Sequence, residues 1–221
     1  HLRTNLHFAT AAEGARSLVV TSSIAQEGKS TTTANLAITL AAAGTRVALV
    51  DADLRRPMIA EYMGLEGSAG LSTVLVGRAA LAEVMQPWGD TGNLDVLTAG
   101  QKPPNPSELL SAPNMEKLVK ELESTYDVVL LDGAPLLPVT DSAVLARITG
   151  GALIVVASGR VKRPQLARAV SALTSVDARI LGLVLTMLPT RGPDAYSTYS
   201  YSYGEPPTET GRGQHSPRPA Q

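Results

Sequence analysis

The stretch Leu18-Val-Val-Thr-Ser-Ser-Ile-Ala-Gln-Glu-Gly28-Lys29-Ser30-Thr31 constrains the fold more than any other part of the chain. A β-branched apolar run leads into a small, polar loop, and Gly-Lys-Ser-Thr then opens a helical pattern. Strand, loop and helix in this order are the context that a phosphate-binding loop requires. Backbone N–H groups of the loop and helix start would point at phosphate oxygens. Lys29 would bridge the outer phosphates, and the Ser30 hydroxyl would ligate Mg²⁺. Ser23 stands where the general pattern has its first glycine, and Gln26, Glu27, Gly28 and Thr31 complete the expected nucleotide-contacting set. The alternative is a Lys-Ser pair capping an ordinary helix.

Carboxylates follow two further apolar runs. Val47-Ala-Leu-Val leads to Asp51-Ala-Asp53, and Val128-Val-Leu-Leu leads to Asp132. In a parallel sheet the carboxyl ends of the strands line the ligand crevice, which would bring Asp51, Asp53 and Asp132 to the edge carrying the loop. Asp-x-Asp at a strand exit serves equally well as a turn and helix cap. Together with the loop, however, the three acids are what Mg²⁺-nucleotide chemistry needs: oxygen ligands, an acid that orders the nucleophile, and neutralised phosphate charge.

Other short apolar runs begin at Leu94, Leu153 and Ile180, and helical patterns lie around residues 30–43, 114–124, 139–147 and 163–175. Alternating strands and helices imply an α/β fold, a mostly parallel sheet with helices on both faces. This domain is expected over residues 1–188, with a disordered tail over 189–221 where Gly, Pro, Ser, Thr and Arg dominate. The tail holds Tyr196, Tyr199, Tyr201 and Tyr203, four of the chain's six tyrosines.

A formal net charge of −1 argues against general nucleic-acid binding. The absence of cysteine removes disulfides, thiolate metal sites and cysteine nucleophiles. His1, His7 and His215 have no metal-ligand spacing. No run approaches the ~18 to 20 apolar residues of a membrane helix. The start His1-Leu-Arg-Thr reads as a soluble piece of a longer protein.

At this point the sequence resembles the bacterial tyrosine kinases of capsule and exopolysaccharide synthesis, which use a P-loop NTPase scaffold. The resemblance rests on Thr21-Ser-Ser with Glu27-Gly-Lys-Ser-Thr31, Asp51-Ala-Asp-Leu-Arg-Arg-Pro57, Pro104-Asn-Pro-Ser-Glu-Leu-Leu110, Tyr126-Asp-Val-Val-Leu-Leu-Asp132 and the tyrosine cluster. It implies that Lys29 and Ser30 belong to the Walker A motif, Asp51 and Asp53 to a second Walker-type motif, and Asp132 to Walker B. Tyr196, Tyr199, Tyr201 and Tyr203 would be autophosphorylation sites. It further implies ATP/ADP and Mg²⁺, a homo-oligomeric ring in the full-length protein, and a transmembrane chain-length regulator or activator, fused or separate, at the cytoplasmic side of the plasma membrane. The chain departs from the pattern at Ala25-Gln26, usually Pro-Gly, at Asp132-Gly-Ala-Pro135, usually Asp-x-Pro-Pro, and at Thr186, often Asn. Only Arg3 remains of a Glu-x-x-Arg-x-x-Arg ring motif.

Seventeen extended steps from Thr186 to Tyr203 would reach on the order of 55 to 60 Å, far enough for a neighbouring subunit's site. A sticking or linking aromatic tail is the alternative for that segment. In the resulting mechanism Ser30, Asp51 and Asp132 hold Mg²⁺, Asp53 orients or deprotonates the phenol, and Lys29 stabilises the transferring phosphoryl group. The competing function is a ParA/MinD-like ATPase switch without tyrosine kinase activity. Such switches resemble this chain but carry a signature lysine where Ile24 stands here.

Overall fold

The structure, a computed structural model, describes residues 16–189. The tyrosine cluster, Arg3 and the three histidines lie outside the described residues. The expected boundary after Leu188 falls at their edge.

Continuous apolar runs form the central strands because both faces of the sheet are covered. Strands β1 (Ser17–Ser22), β2 (Val47–Asp51) and β6 (Ala152–Ala157) are buried at every position, as is β5 (Val128–Asp132) after its first residue. The sheet has seven strands in the order β3-β4-β2-β5-β1-β6-β7, with β4 Leu94–Leu97 and β7 Ile180–Thr186. All pairings are parallel except that of the two-residue edge strand β3 (Gln86–Pro87). Leu18, Leu49 and Leu130 are fully buried on one face, and each such leucine contributes about 1.5–3 kcal/mol of transfer free energy.

Helix α1 (Lys29–Ala42) covers that face through Ala34, Ala37 and Leu40. The opposite face is covered by α6 (Pro113–Thr125), α7 (Asp141–Ile148) and α8 (Arg163–Thr174), whose Met115, Leu145 and Leu173 join Val50, Leu131 and Ile154. Four short helices were not apparent in the sequence pattern: α2 (Ile59–Met63), α3 (Leu71–Leu75), α4 (Leu81–Val84) and α5 (Pro106–Ser111).

The α3 segment is sewn to the loop after β4. Leu71 N–H donates to the Thr98 carbonyl (2.7 Å), Ser72 N–H to Ala99 (2.9 Å), and Ser72 Oγ to Gln101 (2.8 Å). Gly70 and Gly100 permit this approach: a Cβ on Gly100 would lie 2.6 Å from Ser72 Oγ.

Candidate active site

The loop between β1 and α1 is held by its own side chains and by two distant strands. Gly28 caps α1 at φ 83°, a conformation glycine adopts freely, whereas Gln26 takes φ 65° without that freedom. A non-glycine residue there costs about 1 to 3 kcal/mol, so the departure from Pro-Gly at Ala25-Gln26 carries strain. Glu27 is fully buried, and its carboxylate accepts the N–H groups of Ile24 (2.8 Å) and Ala157 (3.0 Å). Thr186 Oγ1 donates to the Glu27 carbonyl (2.7 Å), and Arg160 donates to the Gln26 carbonyl (3.0 Å). The Glu27 side chain is therefore committed to the protein, and its backbone is what remains to face a ligand. Ser23 is buried and its hydroxyl has no partner.

Parallel pairing brings the acids together. Asp51 and Asp132 are register partners at the ends of β2 and β5, and β5 lies beside β1. Lys29, at the first turn of α1, extends its ammonium into this corner. Its Nζ lies 3.2 Å from both Asp132 oxygens, 3.4 Å from Asp53 Oδ2 and 3.0 Å from Ser30 Oγ. Burial pulls the Lys29 pKa down, but Asp132 and Asp53 more than compensate and hold it above the ordinary lysine value. Asp132 is pushed up chiefly by burial, with Lys29 pulling the other way. Asp51 is pushed up to about 7 by burial and by the Asp132 charge, against the opposing Ile59 N–H. Its Oδ2 accepts the N–H groups of Met58 (3.0 Å) and Ile59 (2.9 Å) at the start of α2. The turn-and-cap reading of Asp-x-Asp thus describes part of the geometry, since Asp53 Oδ1 also accepts the Arg56 N–H at 3.0 Å.

A cavity of about 340 Å³ opens here. Gly28, Lys29, Ser30, Thr31 and Asp53 line it, with Gln26 at the loop and Arg56, Met58, Tyr62 and Pro135 opposite. Asp51 and Asp132 are fully buried and do not line it. Gly133, following Asp132, leaves no room for a side chain: a Cβ there would come within 2.7 Å of Val19.

Sequence reasoning missed the clamp that fixes the Asp53 loop. Arg55 Nε donates to Asp141 Oδ2 (2.8 Å), Arg55 Nη2 to Ser107 Oγ (2.8 Å), and Ser107 Oγ to Asp141 Oδ1 (2.6 Å). This joins the segment after β2 to α5 and to the first residue of α7. Ser107 lies inside the quoted Pro104-Asn-Pro-Ser stretch, the signal that could have pointed to it. Asp141→Asn is expected to slow phosphotransfer about tenfold, on the scale of one charge-assisted hydrogen bond. Arg55→Lys, which keeps the charge but loses the planar fork, is expected to fall nearly as far. Initial rates at saturating nucleotide check this; unchanged rates in both would show that Asp53 is placed without the clamp.

The family described as "ParA: NUBPL iron-transfer P-loop NTPase" matches residues 15–206. The tyrosine-protein kinase YwqD of Bacillus subtilis is 39% identical over 184 residues, covering 83% of this chain and 77% of that protein. The putative tyrosine-protein kinase CapB of Staphylococcus aureus is 34% identical over 204 residues, covering 92% and 88% respectively. Among solved structures, the kinase domain of the Escherichia coli tyrosine kinase ETK superposes with a TM-score of 0.83 at 35% identity, covering 89% of this chain and 76% of that one. With Lys29 set among the acids at the carboxyl edge of a parallel sheet, and with these matches along most of its length, the chain belongs to the bacterial tyrosine kinases, protein-tyrosine kinases built on the nucleotide-binding P-loop fold.

Proposed function

We propose that the chain is an ATP- and Mg²⁺-dependent autokinase that phosphorylates Tyr196, Tyr199, Tyr201 and Tyr203 between subunits, and so regulates exopolysaccharide or capsule synthesis and export. The observation that carries this reading is the shared placement of Lys29, Ser30 and Asp53 on one cavity wall. ATP would supply the γ-phosphoryl group there, and bound Mg²⁺ would neutralise its charge. The residues suit both. Among the described residues no three His, Cys, Asp or Glu side chains are grouped to hold a metal by themselves. Mg²⁺ in such sites takes one or two protein oxygens and completes its octahedron with phosphate and water. Ser30, together with the carboxylates of Asp51 and Asp132, would hold it. The unpartnered Ser23 hydroxyl suits an oxygen-rich ligand in the loop.

Asp53, which lines the cavity, orients the acceptor phenol and takes its proton. Lys29 shifts its hydrogen bonds from carboxylate to phosphoryl oxygens as charge develops. Residues 1–188 form the kinase domain and residues 189–221 the acceptor tail. No helix among the described residues is long and apolar enough to cross a membrane. A transmembrane activator, fused or separate, supplies the attachment to the cytoplasmic face, and a homo-oligomer brings tails to neighbouring sites.

Incubation with ATP and Mg²⁺, followed by mass-spectrometric mapping, tests the proposal. Phosphate is expected on the four tail tyrosines, at a rate per chain that rises with protein concentration. ATP turnover without phosphotyrosine, also after addition of the activator, would assign the chain to the ParA/MinD-like switches instead.

A further inference from the structure

A second cavity, of about 490 Å³, lies where α3 meets the loop after β4. Ser72, Thr73, Arg78, Lys102, Pro103 and Pro104 line it, and no carboxylate does. Neither Arg78 nor Lys102 makes an ion pair among the described residues, so the two bring cations with no anionic partner there to one concave surface. Two of its lining residues are fixed to each other, since Ser72 Oγ donates to the Gln101 carbonyl, and Ser72 N–H is held by Ala99 beside the close approach of Gly70 and Gly100. Cations, hydroxyls, proline faces and the half-exposed Val76 together suit a ligand that carries a dianion on a flat apolar ring.

We infer that this cavity binds phosphotyrosine displayed on a peptide. A phosphotyrosine brings a charge of about −1.5 to −2 and strong acceptor oxygens for the two cations. Its ring lies against Pro103, Pro104 and Val76. Three strand spacings separate β4 from β1, so the loops that leave their carboxyl ends start about 14 Å apart along the sheet edge. A chain phosphorylated at one tyrosine is thereby retained while a second tyrosine occupies the cavity beside Asp53. The source of the phosphopeptide rests on the autokinase reading; the cavity's chemistry does not.

The test uses the full chain and synthetic peptides of residues 194–205, with and without phosphate on Tyr199, followed by fluorescence anisotropy. Because the phosphate is installed chemically, the readout stands even if the chain proves to have no kinase activity. The phosphopeptide is expected to bind at least about tenfold more tightly than its unphosphorylated form, the scale of one charge-assisted contact. Arg78→Ser with Lys102→Ser is expected to remove that difference while leaving ATP affinity unchanged. Equal affinity of the two peptides, or no effect of the double substitution, would overturn the assignment. Displacement by ATP with the double variant unaffected would place the peptide in the phosphate loop. Equal displacement by inorganic phosphate at the same concentration would reduce the cavity to a bare anion site.

Discussion

Replacing Lys29 by Met is expected to lower tyrosine phosphorylation by about 10³-fold, the scale of removing a preorganised charge from a phosphoryl-transfer site. The same substitution has a second consequence, because Lys29 is the cation that neutralises Asp53 and Asp132. Breaking a buried pair by removing one partner costs about 3–5 kcal/mol when the other stays charged. Since Asp51 and Asp132 are already displaced upward, protonation relieves much of that cost in mild acid. The variant is therefore expected to melt well below the parent at pH 8 and close to it at pH 5, while remaining folded at room temperature. Parallel thermal melts and phosphotyrosine assays check both halves. A variant that keeps full activity would remove Lys29 from the chemistry, and an equal melting deficit at both pH values would remove it from the charge balance.

Asp51→Asn is expected to do the opposite to stability and the same to activity. In the folded chain burial pushes the Asp51 pKa up to about 7, from an ordinary carboxylate value of 3.8. Between those values the native state holds a proton that the unfolded state has released. Stability from this group is present in full below the lower value and is lost as pH rises through the upper one. Asparagine is neutral throughout and keeps a carbonyl acceptor for the N–H groups of Met58 and Ile59. The variant should melt several degrees above the parent at pH 8, show a flatter pH profile between 4 and 7, and lose Mg²⁺-dependent phosphotransfer. A profile parallel to that of the parent would mean that Asp51 does not titrate in this window.

The main architecture was legible because covered parallel strands need apolar runs: β1, β2, β5 and β6 carry uninterrupted ones, while β4 and β7 are broken only by Asp95 and Gly182. β3 escaped notice because it has only two residues and ends in Pro87, which an edge position tolerates. The four short helices span four to six residues, less than the length over which a 3.6-residue period can show itself. At the site, Lys29, Ser30, Asp53 and their neighbours were visible through strand-end logic. The Arg55, Ser107 and Asp141 clamp was not. Its members are separated by 34 to 86 positions, and each taken alone reads as a turn residue or a cap. The same holds for Glu27, whose quoted place in the loop motif suggested ligand contact while its carboxylate reaches 130 positions ahead to Ala157.

That long reach, together with the bond from Thr186 to the Glu27 carbonyl, bears on biosynthesis. The phosphate loop leaves the ribosome early, yet two of the contacts that hold it come from the ends of β6 and β7, the last strands to emerge. A nascent chain stopped short of Ala157 carries the whole Gly28-Lys29-Ser30-Thr31 motif without the N–H that holds the Glu27 carboxylate. The finished shape of the phosphate loop is thus a late acquisition of the growing polypeptide, gained only as the last two strands take their places.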